Sequence, residues 1–332
     1  MMKKLLSLFV VLLLVKSAIA QPAADTGITF TWSKPMSAEA KGLKAELQKM
    51  DFKTSQIKDF ETKNFNQAAA PLPPKYTEEF NVDSAVVTGR NVYTVSPKNK
   101  TSGKYILYLH GGGYMYGIGS YHWDLIGELL RRTNATVIFP DYPLTPAHTA
   151  EEGFVQIDQV YKNLLSKVPP DSVVIMGDSA GGGFALALAE QMKKEGVPQP
   201  SQLILLSPWL DATMTNPGIK SLEKKDVMVA VTFLKMIGKA WAGKLSTTNY
   251  LVSPIYGNLN GLAKVSVFTG GQEILLADCR KFKSMMNRKG IPVNYFYYQE
   301  MFHDWALASF LPESRMVLDQ VSSLIGNNTK TR

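Results

Sequence analysis

Short apolar runs alternate with longer amphipathic stretches along most of this chain. The later runs are separated by segments long enough for helices, and this alternation favours parallel strands joined by helical crossovers. Because the runs are almost continuously apolar, both faces of the sheet should be covered. The pattern therefore predicts an α/β fold with a mostly parallel central sheet and helices on both faces. The candidate strands are residues 85–95, 105–109, 135–139, 172–176, 202–206, 264–268 and 293–298.

Two helical segments stand outside this alternation. Residues 37–50 place Leu43, Leu47 and Met50 on one helical face, which predicts a helical decoration near the N-terminus. The second segment, residues 211–250, has apolar residues at helical spacing and no strand candidate between them. We interpret it as a helical cap inserted into a single domain. Its spaced apolar residues are Val227, Val231, Leu234 and Trp241.

The N-terminus has the order of regions typical of a secretory signal peptide. Two lysines precede an apolar run at 5–15, and small residues at 18–20 end it. The run is too short for a comfortable membrane span, so an uncleaved anchor is the less favoured alternative. We predict that residues 1–20 are removed, which leaves one secreted or periplasmic domain, residues 21–332, without a stable membrane anchor.

Composition excludes several classes of protein. With 332 residues, of which 45% are hydrophobic and 19% charged, the chain can bury a sizeable core. The net charge of +8 falls to +5 once the three lysines of residues 1–20 are removed, and no basic stripe interleaved with aromatic residues suggests a nucleic-acid partner. Cys279 is the only cysteine, so an intramolecular disulfide and a zinc site built from cysteine pairs are excluded.

The most specific chemical signal is the pentapeptide GDSAG at residues 177–181. It follows the apolar run at 172–176 and opens a helix-forming stretch at 184–191, so it predicts a strand, a sharp turn and a helix. Such an elbow presents a serine hydroxyl for attack, and its glycines allow the strand and the helix to approach closely. The serine is expected in a strained backbone conformation. Ser179 is therefore the candidate nucleophile.

A serine hydroxyl needs a base to accept its proton and a carboxylate to orient that base. Of the four histidines, only His303 follows both the elbow and a carboxylate at a strand end, which is the chain order that this elbow architecture requires. We predict His303 as the general base; a surface loop histidine is the alternative. His122 and His148 have no such support and are predicted to be ordinary surface or loop residues.

Two carboxylates compete for the role of the acid. Glu273 lies directly beyond the candidate strand at 264–268, at the carboxyl edge where functional groups of open α/β sheets collect. Asp278 lies about one helical turn further on and is the alternative. We favour Glu273.

Two further aspartates lie beside the candidate catalytic residues. Asp304 adjoins His303 in sequence, and because adjacent side chains usually diverge, we predict it to be a solvated surface charge. Asp178 precedes Ser179 and is predicted to have a structural role at the elbow.

The segment HGGG at residues 110–113 offers backbone donors for an oxyanion. It follows the candidate strand at 105–109, and its glycines let the backbone turn its amides toward a substrate. The predicted oxyanion donors are the amides of Gly112, Gly113 and Ala180, the last favoured by the N-terminal end of the elbow helix. We expect His110 to hydrogen-bond to the loop backbone and fix the glycine turn.

Together these motifs resemble those of the hormone-sensitive-lipase-like esterases of the α/β-hydrolase fold. The resemblance spans roughly residues 75–310 and rests on HGGG and GDSAGG, supported by DYPLTPAH at 141–148 and SPWLD at 207–211. It implies a carboxylic ester hydrolase without metal or organic cofactor, and a mobile helical cap built from residues 22–74 and 212–250. The chain departs from the family at the acid: many members carry aspartate in an Asp-Pro-Leu setting, whereas this chain has Glu273 followed by Ile-Leu.

The chain is therefore predicted to be a serine carboxylesterase that hydrolyses small esters of short to medium acyl length through an acyl-enzyme intermediate. Two alternatives stay open. Catalytically inactive relatives of this fold bind small molecules, and the same triad also serves the hydrolysis of amides and other acyl compounds. Tyr114, Tyr116 and Trp209 are candidates for pocket lining, although aromatic residues near a core more often serve packing. The sequence does not indicate an oligomeric state.

Overall fold

A computed structural model describes residues 27–63, 67–99 and 101–326. The predicted signal peptide lies outside the described residues. Within them, no helix is both long enough and apolar enough to cross a membrane.

Strands alternate with helices through most of the chain, as the apolar pattern predicts. The strands are β1 (Thr29–Trp32), β2 (Phe80–Val87), β3 (Arg90–Pro97), β4 (Tyr105–Leu109), β5 (Thr136–Pro140), β6 (Val173–Asp178), β7 (Gln202–Leu206), β8 (Lys264–Gly270) and β9 (Val293–Tyr298). The helices are α1 (Ala38–Lys49), α2 (Phe52–Thr62), α3 (Pro74–Glu79), α4 (Ser120–Thr133), α5 (Ala150–Leu165), α6 (Ser179–Glu195), α7 (Ile219–Leu222), α8 (Val231–Ala242), α9 (Leu276–Arg288) and α10 (Pro312–Gly326).

The strands of the described residues form one sheet in the order β1-β9-β8-β7-β6-β4-β5-β3-β2. All neighbours pair in parallel except β2 with β3 and β3 with β5, which are antiparallel. The predicted α/β architecture with a mostly parallel sheet is therefore confirmed.

The sheet differs from the sequence prediction at its two edges. The single candidate strand at 85–95 is a hairpin of β2 and β3, turned by Thr88 and Gly89 at φ 50° and 82°. Two consecutive residues with positive φ are typical of the tight turn that suits the twist of antiparallel strands. At the other edge, β1 was not predicted, because it has only four residues and is half exposed, so it lacks a buried apolar run.

Both faces of the sheet are buried, which explains why its strands are continuously apolar. On β4, Leu107 and Leu109 contribute to a core that also contains residues of α5, α6, α8 and α9. Ile106 and Tyr108 point to the opposite core, which contains residues of α1, α4 and α10. The parallel strands β4, β6 and β8 consequently bring their carboxyl ends to one edge, where the predicted site residues follow them.

Candidate active site

Ser179 lies at the turn from β6 into α6, as the GDSAG motif predicts. The serine has φ 47°, a left-handed conformation that non-glycine residues rarely adopt. A Cβ atom at Gly181 would lie 2.0 Å from the carbonyl oxygen of Leu109, and one at Gly177 would lie 2.5 Å from the backbone of Gly181. Larger side chains cannot fit at these two positions. The turn therefore holds the serine hydroxyl at the carboxyl edge of the sheet.

His303 connects the serine to a carboxylate. Its Nε2 atom lies 2.9 Å from Oγ of Ser179, and its Nδ1 atom lies 2.7 Å from Oε2 of Glu273. All three side chains are buried. The structure thus brings the predicted nucleophile, base and acid into one hydrogen-bonded chain, the arrangement in which a histidine can accept the proton of a serine.

The carboxylate of Glu273 is held by three donors in addition to the histidine. Its Oε1 atom accepts hydrogen bonds from Oγ1 of Thr269 at 2.7 Å, the amide of Gly270 at 2.7 Å and Oγ of Ser207 at 3.1 Å. Sequence reasoning missed Thr269 and Ser207. Both are polar residues at the carboxyl end of a buried strand, β8 and β7, so the rule that selected Glu273 would also have found them.

Asp278, the alternative acid, lies elsewhere. It is in the first turn of α9, where its Oδ1 atom accepts a hydrogen bond from Nδ2 of Asn216 at 2.8 Å. Burial raises the pKa of Asp278 to about 6. Its carboxylate makes no contact with the imidazole, so the structure places Glu273 rather than Asp278 beside His303.

The prediction that Asp304 is a solvated surface charge is wrong. Only 9% of its side-chain surface is exposed, and its Oδ2 atom lies 3.1 Å from Nε2 of His303. The reason is the left-handed backbone at Asp304, φ 52°, which turns the carboxylate back over the neighbouring ring. Burial lowers the pKa of His303, but the charges and hydrogen bonds of Asp304 and Glu273 outweigh it and raise that pKa well above its ordinary range.

Asp178 has a buried position behind the elbow, in agreement with its predicted structural role. Its Oδ1 atom accepts a hydrogen bond from the hydroxyl of Tyr108 at 2.7 Å, and its Oδ2 atom lies 3.5 Å from Nε2 of His122. Burial raises the pKa of Asp178, but these partners outweigh it and lower that pKa. A Cβ atom at Gly111 would lie 2.1 Å from Oδ2 of Asp178, so this carboxylate joins the elbow to the glycine loop.

The prediction for His122 is also wrong, since the residue is fully buried in α4. Its Nδ1 atom accepts a hydrogen bond from the amide of Gly119 at 2.9 Å, which leaves Nε2 directed toward Asp178. His148 is partly exposed and pairs with Glu152 at 3.0 Å, in agreement with its predicted surface position.

The glycine loop follows β4 and borders the same cavity as Ser179. Gly112 and Gly113 have φ 98° and 64°, and the carbonyl of Gly112 accepts the amides of Met115 and Tyr116. Positive φ at both positions explains the need for glycine. Gly112, Gly113 and Ser179 line the cavity together.

His110 lies at the start of this loop and contacts its backbone. Its Nδ1 atom lies 2.8 Å from the carbonyl oxygen of Gly111, and its ring stacks on Tyr142 with centroids 4.2 Å apart. Burial lowers the pKa of His110 to about 3. The ring is therefore neutral at physiological pH, and Nδ1 donates its proton to the carbonyl.

The cavity above Ser179 encloses about 650 Å³ and is mostly apolar. Leu43 and Phe52 come from the N-terminal segment, and Met228 and Phe233 come from the inserted segment. Helix α2 packs against α8, so both predicted cap segments meet above the site. Of the three aromatic residues considered for pocket lining, Tyr116 lines the cavity. Tyr114 and Trp209 belong instead to the buried core, where Tyr114 stacks on Trp241 with centroids 4.2 Å apart.

Comparison with known proteins agrees with this architecture. An esterase of Acinetobacter venetianus is 32% identical over 220 residues, which are 65% of this chain and 73% of that protein. A triacylglycerol lipase of Mycobacterium tuberculosis is 30% identical over 72% of this chain, which spans about half (49%) of that protein's length. Among solved structures, an esterase/lipase from an uncultured bacterium superposes with a TM-score of 0.72 at 27% identity, covering 88% of this chain and 99% of that one.

A sequence profile described as alpha/beta hydrolase fold matches residues 106–307, the region that contains the glycine loop, the serine elbow, Glu273 and His303. This region includes all the residues of the hydrogen-bonded chain. The match, the parallel sheet and the elbow agree with one another, and the chain belongs to the α/β-hydrolase fold family.

Proposed function

We propose that this protein is a serine carboxylesterase of the hormone-sensitive-lipase-like group, with Ser179 as its nucleophile. The observation that carries the proposal is the unbroken contact from Oγ of Ser179 through the imidazole of His303 to the carboxylate of Glu273. The esterase of Acinetobacter venetianus, which this chain covers over 73% of its length, supports the reaction class. The hydrolysis of carboxylic esters is therefore the activity assigned to this chain.

The reaction follows from this geometry in two stages. His303 accepts the proton of Ser179 at Nε2 while Oγ bonds to the carbonyl carbon of the ester, and the carbonyl oxygen becomes an oxyanion. The amides of Gly112, Gly113 and Ala180 are proposed to bind that oxyanion. His303 then gives its proton to the departing alkoxy oxygen. In the second stage a water molecule attacks the acyl-enzyme by the reverse proton transfers, which releases the acid and restores Ser179.

The side chains that line the cavity restrict the kind of ester that can bind. Apolar side chains dominate its lining, and its volume of about 650 Å³ suits a small ester with a short to medium acyl chain. No lysine or arginine lines the cavity in the described part of the chain, whereas Asp59, Asp124, Asp178 and Asp304 do. An anionic ester would find no counter-charge there, so we propose uncharged esters as substrates.

Two competing functions have less support. A non-catalytic binding protein has no need for a histidine within hydrogen-bond distance of both a serine and an acid, and this chain has that arrangement. Hydrolysis of amides or other acyl compounds uses the same groups, and the comparison of rates on matched esters and amides would decide between them.

Replacement of Ser179 by alanine tests the proposal. The wild type should hydrolyse aryl esters of increasing acyl length, and Ser179→Ala should lose about 10³- to 10⁶-fold in kcat because no nucleophile remains. Ser166→Ala, at a serine just beyond the end of α5, serves as the control and should keep full activity. Equal turnover in the wild type and in Ser179→Ala, or no turnover in either, would overturn the proposal.

We further propose that the enzyme is exported through residues 1–20 and that residues 22–74 and 212–250 act as its cap. The order of charged, apolar and small residues at the N-terminus supports export. The packing of α2 against α8 above the cavity supports the cap.

A further inference from the structure

We propose that Asp304 is a positioning residue whose carboxylate keeps a proton on Nε2 of His303, so that Nε2 can accept the proton of Ser179 only after the imidazolium is deprotonated, which moves hydrolysis to higher pH. This inference rests on the proposed esterase function. From the sequence alone, Asp304 is expected to be a surface charge. In the structure, the imidazole of His303 has two carboxylate neighbours, Glu273 and Asp304, instead of one.

One ring nitrogen of His303 lies close to both a hydroxyl and a carboxylate. Nε2 of His303 lies 2.9 Å from Oγ of Ser179 and 3.1 Å from Oδ2 of Asp304. Nδ1 lies 2.7 Å from Glu273. An imidazole that carries protons on both nitrogens is positively charged, and this charge lies close to both carboxylates at once. In that form Nε2 has no lone pair, and Ser179 cannot transfer its proton to it.

The backbone fixes the carboxylate of Asp304 in this place. The residue has φ 52°, and its amide lies 3.4 Å from Oγ of Ser207, which itself donates to Glu273. Oδ1 of Asp304 is buried and has no hydrogen-bond partner among the described residues. The ion-pair contact of Oδ2 with Nε2 of His303 at 3.1 Å is therefore the contact that compensates the burial of this carboxylate, which favours a positive charge on the imidazole.

The surroundings favour the protonated imidazole. No lysine or arginine lines the cavity in the described ranges, so no fixed cation there competes for the carboxylates. Burial raises the pKa of Asp304 to about 7, although the neighbouring His303 lowers it. Other ionisable groups that face His303 or Asp304 from neighbouring elements are acids and phenols: Glu273, Asp226, Asp178, Tyr108 and Tyr121.

The pH dependence follows from counting protons. At low pH, Nε2 carries a proton and the base is blocked. As the pH rises, the imidazolium loses its proton at a pH above the ordinary histidine value of about 6.5, because the neighbouring carboxylates raise its pKa. Ser179 can now donate its hydroxyl proton to the free lone pair. The midpoint of the acid limb of the pH–activity profile is therefore the pH at which the imidazolium of His303 loses its proton.

The test is the pH profile of kcat/KM on an uncharged aryl ester for the wild type, Asp304→Asn and Asp304→Gly. Both replacements tolerate the left-handed backbone at this position, so folding should be preserved. We expect the acid midpoint of the wild type to lie above pH 6.5, and both variants to shift it down by at least about one unit. A shift of one unit raises the rate on the acid limb about tenfold.

Asp59→Asn is the matched control, because it removes another cavity carboxylate that contacts Tyr116 rather than His303. Its midpoint should equal that of the wild type. An unchanged midpoint in Asp304→Asn and Asp304→Gly would overturn the inference. Loss of all activity in both variants, when both are folded, would also overturn the inference, because the carboxylate of Asp304 would then be essential for catalysis. If neither variant folds, a wild-type midpoint at or below pH 6.5 overturns it.

A second readout separates this inference from the esterase proposal. The chain has four histidines, so the imidazole signals of His303 can be assigned in an NMR titration by comparison with His303→Gln. The titration needs no substrate and can be performed on Ser179→Ala. A midpoint that falls by at least about one unit in Asp304→Asn supports the role of Asp304 even if no ester is hydrolysed. Identical titrations with and without Asp304 contradict it.

Discussion

At the scale of single residues, the environment of a side chain decides its role more than its identity does. Glu273 and Asp278 are five positions apart and both are buried. Glu273 has four hydrogen-bond partners that include His303, whereas Asp278 has Asn216 and an Oδ2 atom without a partner among the described residues. Only the former can orient the imidazole.

Separate replacement of these two carboxylates tests that assignment. Glu273→Gln should lower kcat by about 10³- to 10⁴-fold, because the imidazole loses both its orientation and the charge that stabilises its protonated form. Asp278→Asn should stay within about tenfold of the wild type. Steady-state kinetics on the same aryl ester measure both values. The reverse order of effects would move the role of the acid to Asp278.

The sequence predicts some of these residues and not others for a physical reason. Ser179 and the glycines around it are recognisable because the elbow is a local backbone structure, with its chemistry contained in five consecutive residues. The position of Asp304 depends on its left-handed backbone, and the position of His122 depends on the packing of helix α4 near the elbow. Neither is a property of the nearby sequence, so both were predicted at the surface.

At the scale of secondary-structure elements, helix α6 carries a glutamate whose carboxyl group is buried inside the protein. Its first turn holds Ser179, and most of its length is buried. Glu190 lies on this helix with 4% of its surface exposed, and neither of its carboxyl oxygens has a partner in the described part of the chain. A Cβ atom at Gly257 would lie 1.7 Å from Oε2 of Glu190, so the loop at Gly257 closes over the carboxyl group.

Stability should therefore depend on pH through Glu190. Burial raises its pKa to about 9, so the folded protein keeps a proton that the unfolded chain releases above about pH 4.3. The free energy of unfolding consequently falls as the pH rises from about 4.3 to about 9. Glu190→Gln cannot ionise and should be more stable than the wild type at pH 8, by about 1–3 kcal/mol.

Urea unfolding of both proteins at pH 5 and pH 8 measures this difference. Glu195→Gln, at an exposed glutamate on the same helix, is the control and should follow the wild type. If Glu190→Gln loses as much stability between the two pH values as the wild type does, another group is responsible.

Elements with continuous apolar runs were predicted well, and the edges of the sheet were not. Strands β4, β7 and β9 have the predicted bounds because both of their faces are buried. The hairpin of β2 and β3 depends on two residues with positive φ, and β1 depends on a partner strand more than 260 residues away in the chain. Short edge strands carry too little apolar surface to be distinguished from loops.

At the scale of the whole molecule, export stays a prediction that protein chemistry can test. Expressed in a bacterial host, the full chain should appear outside the cytoplasm with a new N-terminus near Gln21, because cleavage is expected after Ala20. Deletion of residues 1–20 should keep the protein inside. N-terminal peptide mapping of fractionated cells measures both outcomes, and an exported protein that still begins at Met1 would favour an uncleaved anchor.

The pairing of β1 with β9 joins the two ends of the described chain. Further links act in the same way: Ser37 donates its amide to Glu313 at 2.7 Å, and Ile28 donates its amide to Asn294 at 2.9 Å. Leu43 and Phe310 face the same cavity. Contacts between residues so distant in sequence form late, because a long stretch of chain must be ordered first. Hydrolysis should therefore begin only after the segment from β9 to α10 has been made, and a shorter chain has no finished site.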